Sequence, residues 1–118
     1  MSRKPGAGRL RERVHFQSRD VVDDGYGNTR GAWVTRFTVA AGLKPLRGGE
    51  EVMASRLQGV QPYVLTVRQS SQTRLVASDW RVVDAREPSR VFAVTAPPTD
   101  QDGQRQWLDI LVRQGEPG

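Results

Sequence analysis

The sequence predicts a mostly β fold: a small antiparallel barrel or sandwich of about six short strands, with a long loop and one short helix. Three observations predict it. Apolar side chains recur at every second position in several short stretches, the period of a half-buried strand. Clusters of Gly, Pro, Asp and Asn separate these stretches at fairly even intervals, as turns would. One segment alone breaks the alternation toward helical spacing.

Each element follows in order. Residues Met1 to Gly8 combine Gly, Pro and basic side chains without periodicity and read as a flexible arm, residues 1–8, ahead of a single domain over 9–114. From about Arg11 to Arg19, Val14 and Phe16 alternate with His15 and Gln17 as a first strand. Asp20 to Gly31, with Asp23-Asp24-Gly25-Tyr26-Gly27-Asn28, reads as a loop and hairpin tip. Ala32 to Leu46 predicts a long strand with Trp33, Thr35, Phe37, Val39 and Ala41 on one face, ended by Pro45, which lacks an amide hydrogen. Between Gly48 and Gly59, Val52, Met53 and Leu57 with Glu50 and Glu51 near the start predict the short helix, acidic groups favouring its N-terminal dipole. Pro62 to Arg68, Asp79 to Asp84, Arg90 to Ala96 and Gln106 to Arg113 complete the strands. Arg86 to Ser89 is a turn, and Pro97 to Gly103 suits a long hairpin loop. Residues 115–118 form a frayed tail.

A chain of 118 residues with 36% apolar side chains supports one thin core, so some surface is expected to be buried only in a complex. Without cysteine there are no disulfides, thiolate metal sites or thiol nucleophiles, which fits a reducing compartment. The first ten residues lack the apolar run of a signal peptide, and no stretch has the length of a membrane span. The net charge of +5, carried mostly by arginine, suits an acidic partner, either nucleic acid or an acidic protein face.

Catalytic and cofactor chemistry finds few candidates. One histidine and no cysteine leave only carboxylates as metal ligands, and these lack ligand spacing. Asp100-Gln101-Asp102-Gly103 has the glycine too early for a calcium loop and no closing glutamate. His15 lies among alternating strand residues with no nucleophile elbow elsewhere. The doublets Asp23-Asp24 and Glu50-Glu51 point their side chains apart. Gly48-Gly49 is followed by acids and lacks the lysine of a phosphate loop. No cofactor is expected and an enzyme is disfavoured. Trp33, Phe37, Tyr63, Trp80, Phe92 and Trp107 sit mostly in alternating patterns that read as core, which weakens a base-stacking surface. The basic cluster Arg3, Lys4, Arg9, Arg11 and Arg13 can meet DNA or an acidic neighbour, or stay solvated.

The ordered pieces resemble the phage head-tail joining proteins, also called head-tail adaptor, head-closure or stopper proteins. Gly8-Arg9-Leu10-Arg11-Glu12-Arg13-Val14 is similar to the family's opening G-x-L-x-x-R-[IV] strand. Asp24-Gly25-Tyr26-Gly27-Asn28 ahead of Trp33 resembles its D-x-x-G-[GN] loop, and Leu43 to Glu51 its run into a short helix. Tyr63 to Arg68 resembles a strand ending in arginine. Asp79-Trp80-Arg81-Val82 stands where the family has a basic or glycine segment, and Val91-Phe92-Ala93-Val94 where it has a tyrosine-isoleucine strand. Phe92 departs from the usual tyrosine, and the Pro97-Pro98 loop is individual. No single motif is specific; their order and spacing over Gly8 to Arg113 carry the likeness.

The resemblance implies a small β-barrel that forms a ring at the neck of a tailed phage or phage-like particle such as a gene transfer agent. That ring closes the DNA-filled head and joins it to the tail. It implies six or twelve copies, a portal or adaptor ring above, a tail terminator or tail proteins below, packaged double-stranded DNA as a further contact, no membrane, and assembly in the bacterial host cytoplasm. Contacts between subunits or rings are then expected at Asp24, Gly25, Tyr26, Gly27, Asn28, Glu50, Glu51, Met53 and Leu57. DNA or acidic-partner contacts are expected at Arg3, Lys4, Arg9 and Arg11. The alternative is a small OB-like nucleic-acid-binding barrel, which would hold DNA as a monomer.

Overall fold

The structure, a computed structural model, describes residues 10–23, 25, 28–46, 49, 60–100 and 103–117. Among these, six strands close into an antiparallel barrel: β1 (Glu12–Asp23), β2 (Asn28–Pro45), β3 (Pro62–Arg68), β4 (Arg81–Asp84), β5 (Val91–Val94) and β6 (Trp107–Gln114). Their order is β1-β2-β3-β6-β5-β4, and β4 returns to β1 along Val14 to Gln17. Closure leaves the short strands without an open edge where the barrel is complete.

Alternation builds the core as the sequence predicts. Val14 and Phe16, Leu65 and Val67, and Leu108, Ile110 and Val112 point inward from β1, β3 and β6. Phe16 stacks on Phe37 with ring centroids 5.0 Å apart, and Tyr63 meets Phe92 edge-on at 5.4 Å. β3 has the predicted bounds, and Pro45 is the last residue of β2. The turn between β4 and β5 is set by Asp84, whose Oδ1 accepts the backbone N–H groups of Arg86 at 2.9 Å and Glu87 at 3.3 Å.

Several expectations are corrected. β1 runs past Arg19 to Asp23 and β2 begins at Asn28, so most of the expected loop Asp20 to Gly31 is strand. The β-branched Val21 and Val22 pair with Arg30 and Thr29, extending the ladder into a segment whose turn residues masked it. β4 is shorter than Asp79 to Asp84, because the chain turns at Ala77 to Trp80, where the Trp80 N–H donates to the Ala77 carbonyl at 3.1 Å. β5 likewise covers only Val91 to Val94.

The face assignment of β2 is also corrected. The pairing shifts between Phe16 and Gln17, where Phe37 and Thr35 become their partners and Arg36 is the extra residue of a bulge. One extra residue reverses the alternation, so Thr35 and Trp33 lie on the outer face instead of sharing Phe37's. Trp33 and Trp107 stand outside the buried cluster, whereas Phe37 and Phe92 are buried and Tyr63 and Trp80 pack against it partly buried.

The helix expected over Gly48 to Gly59 lies outside the described residues, apart from Gly49. Helical geometry among the described residues is confined to a 3-10 turn at Thr73–Leu75. It is fixed by reciprocal bonds: the Ser70 N–H donates to Thr73 Oγ1 at 2.8 Å and the Thr73 N–H to Ser70 Oγ at 3.0 Å. The buried Thr73 hydroxyl also donates to the Arg68 carbonyl at 2.8 Å, anchoring the turn to the end of β3.

Candidate interaction surfaces

β1 and β2 outgrow the barrel. β4 follows β1 only to Gln17, and β3 pairs with β2 only from Gly42 to Pro45. Beyond Ser18 and Val34 the ladder described is that of β1 and β2 with each other, a two-stranded ribbon. Such a ribbon is marginal in water unless side chains hold it. Here the Arg36 guanidinium does so, donating through Nε to Ser18 Oγ at 2.7 Å and through Nη2 to Asp20 Oδ1 at 2.8 Å. Arg19 Nε donates to the Gly31 carbonyl at 2.7 Å. At Gly31 a Cβ would come within 3.1 Å of Val22 Cγ2, so glycine lets the two strands approach closely. The ribbon carries apolar surface to solvent: Val21 is 65% exposed, Val22 47% and Val34 40%.

The root of the ribbon is braced on the outer face. Two guanidiniums contact the Trp33 ring, Arg19 at 5.2 Å and Arg81 at 4.6 Å. Arg81 donates to Gln17 Oε1 at 2.6 Å and pairs with Glu116 at 2.8 Å, joining β1, β4 and the C-terminal segment around one ring. Trp107 is covered by Arg68 at 5.1 Å.

A cleft of about 400 Å³ opens at the opposite end of β1, between β2 and the turn after β3. Leu10, Val39 and Ala40 supply apolar lining, Thr38 and Ser70 hydroxyls, and Arg13 and Arg68 positive charge. Among the described residues neither arginine is ion-paired and no carboxylate lines the cleft. Thr38 also binds His15, whose Nδ1 lies 2.7 Å from its hydroxyl, giving the sole histidine a strand-surface role. Among the described residues no three His, Cys, Asp or Glu side chains could jointly hold a metal.

Of the contact residues expected from the sequence, Gly25 sits at the ribbon tip with φ 86°, a conformation suited to glycine, and Asn28 opens β2. Arg11 is exposed just before β1, its carbonyl accepting from Arg86 Nη1 at 2.8 Å. Asp24, Tyr26, Gly27, Glu50, Glu51, Met53, Leu57, Arg3, Lys4 and Arg9 lie outside the described residues. Sequence reasoning passed over Val21 and Val22, whose adjacency in a presumed loop was the available signal, and the convergence of Arg13 with Arg68, which no local pattern announces.

The comparisons with known proteins bear on the whole scaffold. A family model described as phage head completion protein matches residues 5–115. A search of curated proteins finds no match. The solution structure of a protein from Shigella flexneri 2a is 23% identical with a TM-score of 0.66, over 94% of this chain and 97% of that one. A chain in the virion of a native gene transfer agent particle is 21% identical with a TM-score of 0.60, over 89% of this chain and 94% of that one. At these identities the two structures establish a common fold.

Proposed function

The chain belongs to the phage head completion protein family, and from that premise we propose that it forms a ring at the neck of a tailed phage or phage-like particle, such as a gene transfer agent. The ring closes the DNA-filled head and joins it to the tail, with a portal or adaptor ring above and tail proteins below. The observation that carries this reading is the extent of the family match, residues 5–115, which takes in the barrel, the ribbon and the residues that line the cleft. The ribbon adds support, because exposed valines on a narrow two-stranded projection are what a neighbouring subunit can bury.

In this reading residues 9–114 act as one barrel unit, and residues 1–8 form an arm that orders on a partner. Asp24 to Asn28, and Glu50, Glu51, Met53 and Leu57, meet neighbouring subunits or rings. Arg3, Lys4, Arg9 and Arg11 meet DNA or an acidic face. In the same reading the ring has six or twelve copies and assembles in the host cytoplasm.

A second reading, a nucleic-acid-binding barrel, draws on the net charge of +5 and the two outward tryptophans. Arginines already stack on both indoles, which leaves bases poorly served. Cryo-electron microscopy of particles purified with this chain separates the two. Ring density between portal and tail is the expected result and gives the copy number. Absence from particles, with tight DNA binding by the purified monomer, would overturn it.

A further inference from the structure

The two unassigned surfaces are complementary. One face of the ribbon presents Asp20 and Val22, two residues apart on β1, with Val22 47% exposed and the Asp20 side chain 71% exposed. Asp20 gives Oδ1 to Arg36, which leaves Oδ2 for another donor. The cleft offers the converse: Leu10, Val39 and Ala40 for apolar side chains, and Arg13 and Arg68 without ion-pair partners among the described residues. An arginine fork is suited to receive a carboxylate, and a patch of mixed apolar and cationic character selects an apolar acidic strand over a bare phosphate.

One molecule cannot satisfy itself. Arg13 and Val22 lie on the same strand, and at roughly 3.3 Å per residue they stand about 30 Å apart. Contact between these surfaces therefore joins different molecules, and it is head-to-tail, the class of interface that closes into a ring when the rotation permits.

We propose that the Asp20 and Val22 face of one copy's ribbon docks in the Leu10, Val39 and Ala40 cleft of the next copy, with Arg13 and Arg68 closing on Asp20. This rests on the ring reading above and names the surfaces that would build it. Nucleic acid in the cleft would engage Arg13 and Arg68 but leave Val22 exposed.

The chain has no cysteine, so single thiols can be placed at will. A Val22→Cys copy mixed with an Ala40→Cys copy is treated with a short bis-maleimide, and Val22→Cys mixed with Ser89→Cys, an exposed turn position, is the control. The docked pair should cross-link at least about tenfold faster than the control, the gain in effective concentration that docking confers. Adding Arg68→Glu to the Ala40→Cys copy should abolish that preference. Equal rates in the two mixtures overturn the docking. A short DNA duplex bound by the native chain and lost in Arg13→Ser/Arg68→Ser, with no preferential cross-link, overturns it too and assigns the cleft to phosphate. A neck ring seen in particles alongside equal cross-linking defeats this contact and leaves the ring reading standing. Preferential cross-linking without a neck ring does the reverse.

Discussion

Strands β1 and β2 are one continuous hairpin, yet its two halves live in different solvents. From Val14 to Gln17, β1 is flanked by β2 and β4. Val14 is 3% exposed there and Phe16 fully buried. A few residues on, with β4 gone, Val21 is 65% exposed although it is as apolar and as β-branched as Val14. Residue type alone does not decide burial; the number of strands that pass alongside does. The barrel half is held by packing, and the ribbon half by guanidiniums: Arg36 across the strands and the Arg19, Trp33, Arg81 stack at the root. Substitutions in the barrel half should therefore be read in stability, and those in the ribbon half in assembly.

The largest effect is expected at Phe16, which is fully buried and stacked on Phe37. Phe16→Ala should cost about 3–5 kcal/mol, a large share of the roughly 5–15 kcal/mol that holds a domain of this kind. Urea unfolding of the purified variant measures it. A loss below about 1 kcal/mol would mean that the core relaxes around the gap and that packing is not what distinguishes the barrel half.

Trp33 sharpens the comparison because the two readings of it differ. As a core residue it would unfold the monomer on truncation; as an outer brace it should not. Its two cation–π contacts are worth about 0.5–1 kcal/mol each at partly exposed sites, so Trp33→Ala should cost roughly 1–2 kcal/mol and leave a folded chain. A loss as large as that of Phe16→Ala would return Trp33 to the core and undo the outer-face assignment.

That residue also shows what was and was not legible in the sequence. β3 and β6, which run without bulges, carry their inward faces in plain alternation, and Leu65, Val67, Ile110 and Val112 can be read directly. Trp33 follows the same period on paper, but the bulge at Arg36 reverses it. Bulges answer to the twist and closure of the sheet, which local composition does not encode. The ribbon was hidden for a related reason: the turn residues from Asp23 to Gly27 signal a loop, and only the cross-strand pairs of Val21 and Val22 reveal strand up to its edge. The cleft was least legible, since Arg13, Thr38 and Arg68 come from β1, β2 and β3 and meet through the topology alone.

The smallest change in stability is expected where the change in function is expected to be largest. Val21 is mostly in water and Val22 about half so, which makes Val21→Ser/Val22→Ser a surface change, and substitutions of this kind usually stay within about 0.5 kcal/mol. Serine keeps the branch-free backbone pairing with Thr29 and Arg30 available, so the ribbon should persist. If these valines are buried only between copies, the variant should unfold at nearly the native urea midpoint while its incorporation into particles, measured by immunoblot against a head protein, falls severalfold. Normal incorporation would show that the ribbon's apolar surface is incidental to assembly. A collapse of the midpoint would show instead that the ribbon is held by its valines, and that the division between a packed half and a guanidinium-held half is drawn in the wrong place.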